Sequence, residues 1–222
     1  MNINLEIEEK VLPNLTQETC KLLNAKKTEL SKLSWQSGES NTDTDFSNLS
    51  KECCEIAFKN INKINKLKLQ IDIPDLKLKF IYKKRIIRKK IELKSTKSIN
   101  SKIPGSMIKS LNPNIWTIMC CRADNKNKIE VRYGRYFIGM EISEYEKFQD
   151  RSPRPSLNFN KFQKYNEKPK TTTTSISKSF WKDYAKSAIK RVLNPQQYSW
   201  QDDLVKEIIK LVLKKPDKFK DI

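Results

Sequence analysis

Histidine is missing altogether from the 222 residues. That absence excludes Ser-His and Cys-His nucleophile systems, HEXXH hydrolases, His-metal nucleases and the usual zinc deaminases, all of which need an imidazole as base or ligand. A hydrolase written without it must work with carboxylates, lysine and a metal. Cysteine is sparse, at positions 20, 53, 54, 120 and 121, and none of the spacings is CxxC. A structural zinc site is therefore not expected, and the adjacent pairs inside apolar runs read as reduced, buried small hydrophobes. There is no signal-peptide pattern, and no apolar run approaches the roughly 20 residues of a membrane span. The chain reads as intracellular and soluble, with no membrane partner.

What the chain has in excess is positive charge: Lys+Arg 45 against Asp+Glu 26, a net charge of +19. A composition bias toward Lys, Asn and Ile inflates Glu as well, so bias alone does not produce the excess. A surface this positive attracts polyanions, nucleic acid first among them. The length fits one domain with appendages and is enough to bury a core.

The most informative stretch runs from Pro74 to Ser95, PDLKLKFIYKKRIIRKKIELKS. Leu76, Leu78, Phe80 and Tyr82 alternate with Lys77, Lys79 and Ile81, the period of a half-buried strand. Ile87, Ile91 and Leu93 continue that pattern beyond Lys83-Lys84. With those two lysines at the tip of a tight hairpin, residues whose numbers sum to 167 face one another. Asp75 then lies opposite Glu92, their Cβ atoms roughly 5 Å apart. Lys94 shares their face, while Ile91 and Leu93 point to the core. Two carboxylates so placed repel unless a cation sits between them, and Mg²⁺ is a natural occupant. Neutralising Asp75 is on this reading expected to stabilise the metal-free fold slightly. Asp72 is a rival to Asp75, but it precedes the break at Pro74. The bland alternative is a solvated, salt-bridged hairpin edge.

Pro74-Asp75, Glu92, Lys94 and the apolar-flanked IELKS resemble the catalytic core of the PD-(D/E)XK nuclease superfamily, and within it the type II restriction endonucleases. The resemblance spans residues 48–138. It implies an α/β (α+β) fold, a restriction-endonuclease-like core with a mixed central sheet flanked by helices, here followed by a C-terminal helical extension. It implies that Asp75, Glu92 and the Leu93 carbonyl hold Mg²⁺, and that Lys94 positions or helps deprotonate the attacking water. The substrate implied is double-stranded DNA and the working form a homodimer. The chain lacks the Q-x-x-x-Y that exonucleases of the superfamily carry after this lysine, which counts against a RecB-like exonuclease. A junction resolvase or repair nuclease shares the same metal logic. A non-enzymatic basic nucleic-acid-binding protein is the alternative from another class.

Three segments are expected. Residues 1–47 form an N-terminal helical segment and polar loop, with 1–14 an irregular acidic lead, a helix over 16–33, and a loop after Trp35. Residues 48–150 form the nuclease core. It opens with a helix over 48–64 whose stripe is Leu49, Cys53, Ile56, Ala57, Ile61 and Ile64; Glu52 is the better placed of its glutamates to approach a metal. Leu67, Leu69, Ile71 and Ile73 predict a strand, and Ile115–Cys121 one buried on both faces. A short helix is expected around 106–111 and a turn at 124–127. Arg132, Tyr133 and Arg135 alternate basic and aromatic residues as phosphate- and base-contacting strands do, and Ser95, Lys97 and Arg122 complete the candidate DNA contacts. Residues 151–222 form a basic linker and C-terminal helices, the first over 180–193 and the last around Leu204, Ile208, Ile209 and Val212.

Overall fold

The computed structural model describes residues 2–33, 44–100, 102–105, 112–122, 129–141, 155–174, 207–210 and 212–214. The expected elements around 106–111, 124–127 and 180–193 lie outside the described residues, as does the loop at 35–43.

Residues 3–14 are helical, which corrects the irregular lead expected there. Helix α1 (Ile3–Glu6) is capped by Asn2 and runs into a π-helical turn (Ile7–Val11), then α2 (Leu12–Ala25) and α3 (Lys27–Lys32). Ile3, Ile7, Val11 and Leu15 recur every fourth residue and are all buried. Pro13 hides this stripe, because proline inside a helix lacks the N–H and crowds the carbonyl four residues back. The chain accommodates it with the wider turn just upstream, where the Leu12 N–H donates to Ile7 O, five residues earlier.

Helix α4 (Thr44–Ile61) is the expected helix, begun one turn earlier. Its buried face is Phe46, Leu49, Cys53, Cys54, Ala57 and Phe58, whereas Ile56 is exposed. Phe46 and Phe58 broaden the stripe away from Ile56. All five cysteines are buried and free. Burial raises the thiol pKa of Cys53 to about 11 and of Cys54 to about 12, so both stay protonated.

The strands are β1 (Lys68–Asp72), β2 (Leu76–Tyr82), β3 (Arg85–Thr96), β4 (Lys102–Pro104), β5 (Trp116–Cys121), β6 (Glu130–Arg135), β7 (Met140–Glu141), β8 (Ser156–Asn158) and β9 (Gln163–Lys164); a short helix, α5 (Tyr136–Gly139), follows β6. Six of them form a mixed sheet in the order β1-β2-β3-β5-β6-β9, and the others a three-stranded sheet in the order β4-β8-β7. In the large sheet β3 and β5 are parallel and every other pair is antiparallel. The mixed α/β class expected is therefore present. Strand β5 is buried at every residue, as a central strand covered on both faces must be.

Alternation along β1–β3 decides which face carries chemistry. Leu76, Leu78, Phe80 and Ile91 are buried and join the core formed with α2 and α4. Lys77, Arg88 and Lys90 are exposed on the other face. Helix α2 is fixed to β6 by Asn24, whose side chain accepts from Val131 N (3.0 Å) and donates to Val131 O (2.8 Å). That amide pairs the Val131 N–H, and it shares Val131 O with the Cys20 thiol (3.2 Å).

The chain divides into two compact units, residues 1–103, 112–140 and 157–173 in the first and 104–111, 141–156 and 174–222 in the second. In the second, Gly105 N–H donates to Pro155 O, and the described residues 207–210 and 212–214 are helical, in keeping with the last helix expected.

Candidate active site

The site begins with the β2–β3 turn. Lys83 and Lys84 both have positive φ, 44° and 67°, the conformation a two-residue type I′ hairpin demands. A two-residue turn there fixes the register, and the ladder runs from Tyr82↔Arg85 to Leu76↔Ile91. Each pair sums to 167, as the hairpin reading requires. One step further puts Asp75 beside Glu92. Asp75 leaves the strand with φ 54°, and its Oδ1 accepts a hydrogen bond from the Leu93 N–H at 2.8 Å.

Between the two carboxylates lies Lys90. Its Nζ is 2.8 Å from Asp75 Oδ2 and 3.7 Å from Glu92 Oε2. Lys94 Nζ approaches the other Glu92 oxygen, Oε1, at 2.8 Å. The Glu92 side chain is only 8% exposed, where water solvates a carboxylate poorly, and both ammonium groups approach it. Burial works to lower the Lys90 pKa, but the Asp75 and Glu92 carboxylates outweigh it and hold the group above its ordinary value. The structure thus brings together Asp75, Glu92 and Lys94, and adds Lys90, which sequence reasoning missed. The signal was present: Lys90 is two residues before Glu92 in one strand and so shares its face.

Asp72 is not part of this group. It pairs with Lys77 across β1 and β2 and makes an exposed ion pair with Lys79 (3.4 Å). Nor is Glu52 part of it; its carboxylate pairs with Lys26, between α2 and α3, at 2.9 Å.

The donor set suits a hard divalent cation in part. Among the described residues no group of three or more His, Cys, Asp or Glu side chains converges, so side chains offer two carboxylates. Leu93 supplies a third oxygen by simple strand geometry. A residue in an extended strand projects its N–H and C=O to the same side, so the Leu93 carbonyl faces the edge where its N–H meets Asp75. Continuing the register puts Pro74 opposite, and proline has no N–H to give that carbonyl. Two carboxylates, one carbonyl and water make a set that Mg²⁺ accepts. Lys90 Nζ stands in for the cation between them.

Comparison with protein-family models, curated proteins and solved structures finds no match for this chain.

The residues expected to contact DNA are scattered. Lys97 is exposed just past β3, and Ser95 is half-buried on that strand. Arg132 is half-buried, paired with Glu130 (2.9 Å) and bonded to Asn160 O (3.0 Å). Three others lie inside. Arg122 is 3% exposed, with its guanidinium over the Phe46 ring. Tyr133 is fully buried, stacked on Trp116, and donates its hydroxyl to Glu167 O at 2.6 Å. Arg135 is 3% exposed, lies 4.5 Å over Trp116 and reaches Asn114 O and Glu8. Alternation alone could not distinguish a basic surface strand from a strand whose arginines are buried against aromatic rings.

Cations are instead displayed around the acid pair. Lys77, Lys79, Arg88, Lys90 and Lys94 share the Asp75–Glu92 face of β2 and β3 by register. A polyanion laid on that face meets positive charge on all sides of the two carboxylates.

Proposed function

We propose that the chain is a Mg²⁺-dependent endonuclease that hydrolyses phosphodiester bonds of double-stranded DNA, of the PD-(D/E)XK type and its type II restriction branch. The observation that carries this reading is the convergence of Asp75 and Glu92 on one cationic point, with Lys94 against Glu92, on a face otherwise basic. Acid pairs on a DNA-binding face repel phosphate, and their presence there calls for a metal-dependent role.

On this reading Asp75, Glu92 and the Leu93 carbonyl hold Mg²⁺. The metal supplies charge stabilisation at the scissile phosphate and activates water at neutral pH. Lys90 must withdraw from between the carboxylates, and its flexible four-carbon stem lets the ammonium swing onto a backbone phosphate. Lys94 keeps its ammonium hydrogen-bonded to Glu92, which fixes the carboxylate's orientation and leaves Nζ to position the attacking water by a hydrogen bond to its oxygen. Lys77, Lys79 and Arg88 neutralise flanking phosphates and set the strand's position. Action on a palindrome would pair two copies of the chain.

The test is supercoiled plasmid incubated with the chain and Mg²⁺. Discrete fragments, abolished by EDTA and by Lys94→Ala, support a restriction enzyme; a smear supports a non-specific nuclease, and cutting only branched substrates a resolvase or repair enzyme. DNA affinity should fall steeply with salt, about three decades between 50 and 200 mM for six phosphate contacts. One observation favours a second reading: Lys90 and Lys94 already neutralise the acid pair, as they would in a basic nucleic-acid-binding protein without activity. Binding without cleavage under any divalent metal would select it.

A further inference from the structure

The sheet face that carries Glu92 continues outward over β1 and the distal part of the β2–β3 hairpin. Register places three rungs on it, because directly paired residues point the same way. Lys68, Ile81 and Ile86 form the outermost rung. Gln70, Lys79 and Arg88 form the next, and Asp72, Lys77 and Lys90 the innermost. Seven of these nine residues are exposed, and Lys79 and Ile81 are half-buried. The opposite face of the same strands packs into the core.

The chemistry of this face does not suit water alone. Two rungs set like charges side by side, Lys79 by Arg88 and Lys77 by Lys90, which destabilises a strand pair. Asp72 reaches Lys79 and Asp75 reaches Lys90, but Lys77 and Arg88 have no carboxylate partner among the described residues. The outermost rung displays an apolar pair, with Ile86 52% exposed beside Ile81. The Gln70 amide makes no hydrogen bond among the described residues. A polyanion relieves the repulsion, yet phosphate alone has no use for an isoleucine and a glutamine between the cations. Double-stranded DNA has a use for both. Its major groove presents thymine methyl groups, which take apolar contacts, and adenine edges, which a glutamine amide pairs bidentately.

Width selects the groove. Neighbouring strands lie about 4.8 Å apart, so three of them span roughly 10 Å between the outer backbones. The major groove is roughly 12 Å wide and the minor groove roughly 6 Å, and only the former admits the face. Along β3, Ile86 lies roughly 20 Å from Glu92. That is less than the 34 Å or so of one duplex turn, so a single duplex reaches both. An anionic lipid surface also attracts cations, but its affinity grows with buried apolar area, and here one rung supplies it. We infer that the outer face of β1–β3 reads the major groove of double-stranded DNA, with Ile86 packed on thymine methyls, Gln70 paired with adenine, and Lys77 and Arg88 on flanking phosphates. The inference rests on the DNA reading above and is independent of the metal centre.

The test is fluorescence anisotropy of labelled duplexes with the full chain in EDTA, where nothing is cut. An alternating A·T duplex presents a thymine methyl and an adenine edge at every step, and its A·U counterpart lacks only the methyl. The parent should bind the A·T duplex roughly fourfold more tightly, the effect of about one buried methyl, and Ile86→Ser should bind the two alike. Gln70→Ala should weaken binding to both by roughly tenfold, the scale of a bidentate base contact. Neither variant should change the slope of log K against log salt, whereas Arg88→Gln should make it shallower by about one. The inference is overturned if the parent binds the two duplexes alike, if Ile86→Ser still distinguishes them, or if Gln70→Ala binds as the parent does. Tighter binding to phosphatidylglycerol vesicles than to either duplex would overturn it in favour of a lipid surface. Absence of any duplex binding would overturn it together with the DNA reading, while duplex binding without these discriminations overturns it alone.

Discussion

Replacing Lys90 with glutamine removes the cation that the fold places between Asp75 and Glu92. At the separations of 2.8 and 3.7 Å, an effective dielectric near 20 gives gross attractions of about 6 and about 4.5 kcal/mol. Most of that does not reach the net stability. Lys90 is 41% exposed, so water screens it, and its own ordering and desolvation oppose the gain. Glu92, nearly buried, keeps the net effect above that of a surface pair, and a loss of about 1–3 kcal/mol follows for the metal-free chain. For a chain of this size that lowers Tm by roughly 3–10 °C. The effect on metal is opposite in sign. On the metal-site reading, Mg²⁺ must displace a tethered ammonium in the parent; in Lys90→Gln it meets two carboxylates that have lost the cation shared between them, with Lys94 still against Glu92. Mg²⁺ should bind about tenfold tighter or more, a tenfold change being about 1.4 kcal/mol, and should restore much of the lost Tm. Titration calorimetry with Mg²⁺ and melting with and without the metal measure both halves. A variant that melts lower yet binds Mg²⁺ no more tightly would mean Lys90 is structural and the acid pair is not a metal site.

Three further perturbations probe the frame that holds the site. Lys83→Asn with Lys84→Gly places the preferred type I′ pair where both φ values are positive and should raise stability by about 1–2 kcal/mol in urea unfolding; an unchanged midpoint would argue against that turn. Asn24→Ala strips the Val131 N–H of its partner and leaves Val131 O with the weak Cys20 thiol donor (3.2 Å); it should cost about 1–3 kcal/mol, read the same way. Burial works to raise the Glu8 pKa, but Lys89 and Arg135 outweigh it and lower the value below the usual carboxylate range. Its contribution is therefore complete above the ordinary carboxylate pKa and lost as pH falls through the depressed one. Glu8→Gln should flatten the stability–pH curve in that acid window, and parallel curves for parent and variant would contradict the pairing.

The hairpin was legible because three local signals agreed: a period of two on both sides, two lysines at its centre, and Pro74 closing one end. Their register put Asp75, Glu92 and Lys94 on one face, where the structure has them. The buried run at Trp116–Cys121 was equally plain, since no charged residue interrupts it and Thr117 is its one hydroxyl. Other features depend on contacts distant in sequence. Nothing local to Arg135 or Tyr133 announces that Trp116 and Glu167 will cover them. Pro13 masked a four-residue repeat because a helix interior normally rejects it. The sign of the Asp75 effect also reverses: with Lys90 at 2.8 Å and the Leu93 N–H donating to it, neutralising Asp75 removes attraction rather than relieving repulsion, and should destabilise the metal-free fold.

The most direct measurement compares Asp75→Asn with Asp72→Asn on supercoiled plasmid in Mg²⁺, with metal affinity measured alongside. Asp75 shares Lys90 with Glu92, whereas Asp72 sits in an exposed pair with Lys79. Asp75→Asn should lose both cleavage and most Mg²⁺ affinity, because a neutral amide replaces one of two carboxylate ligands, while Asp72→Asn should keep nearly all of each. Full cleavage by Asp75→Asn, or loss of cleavage confined to Asp72→Asn, would contradict the proposed metal centre.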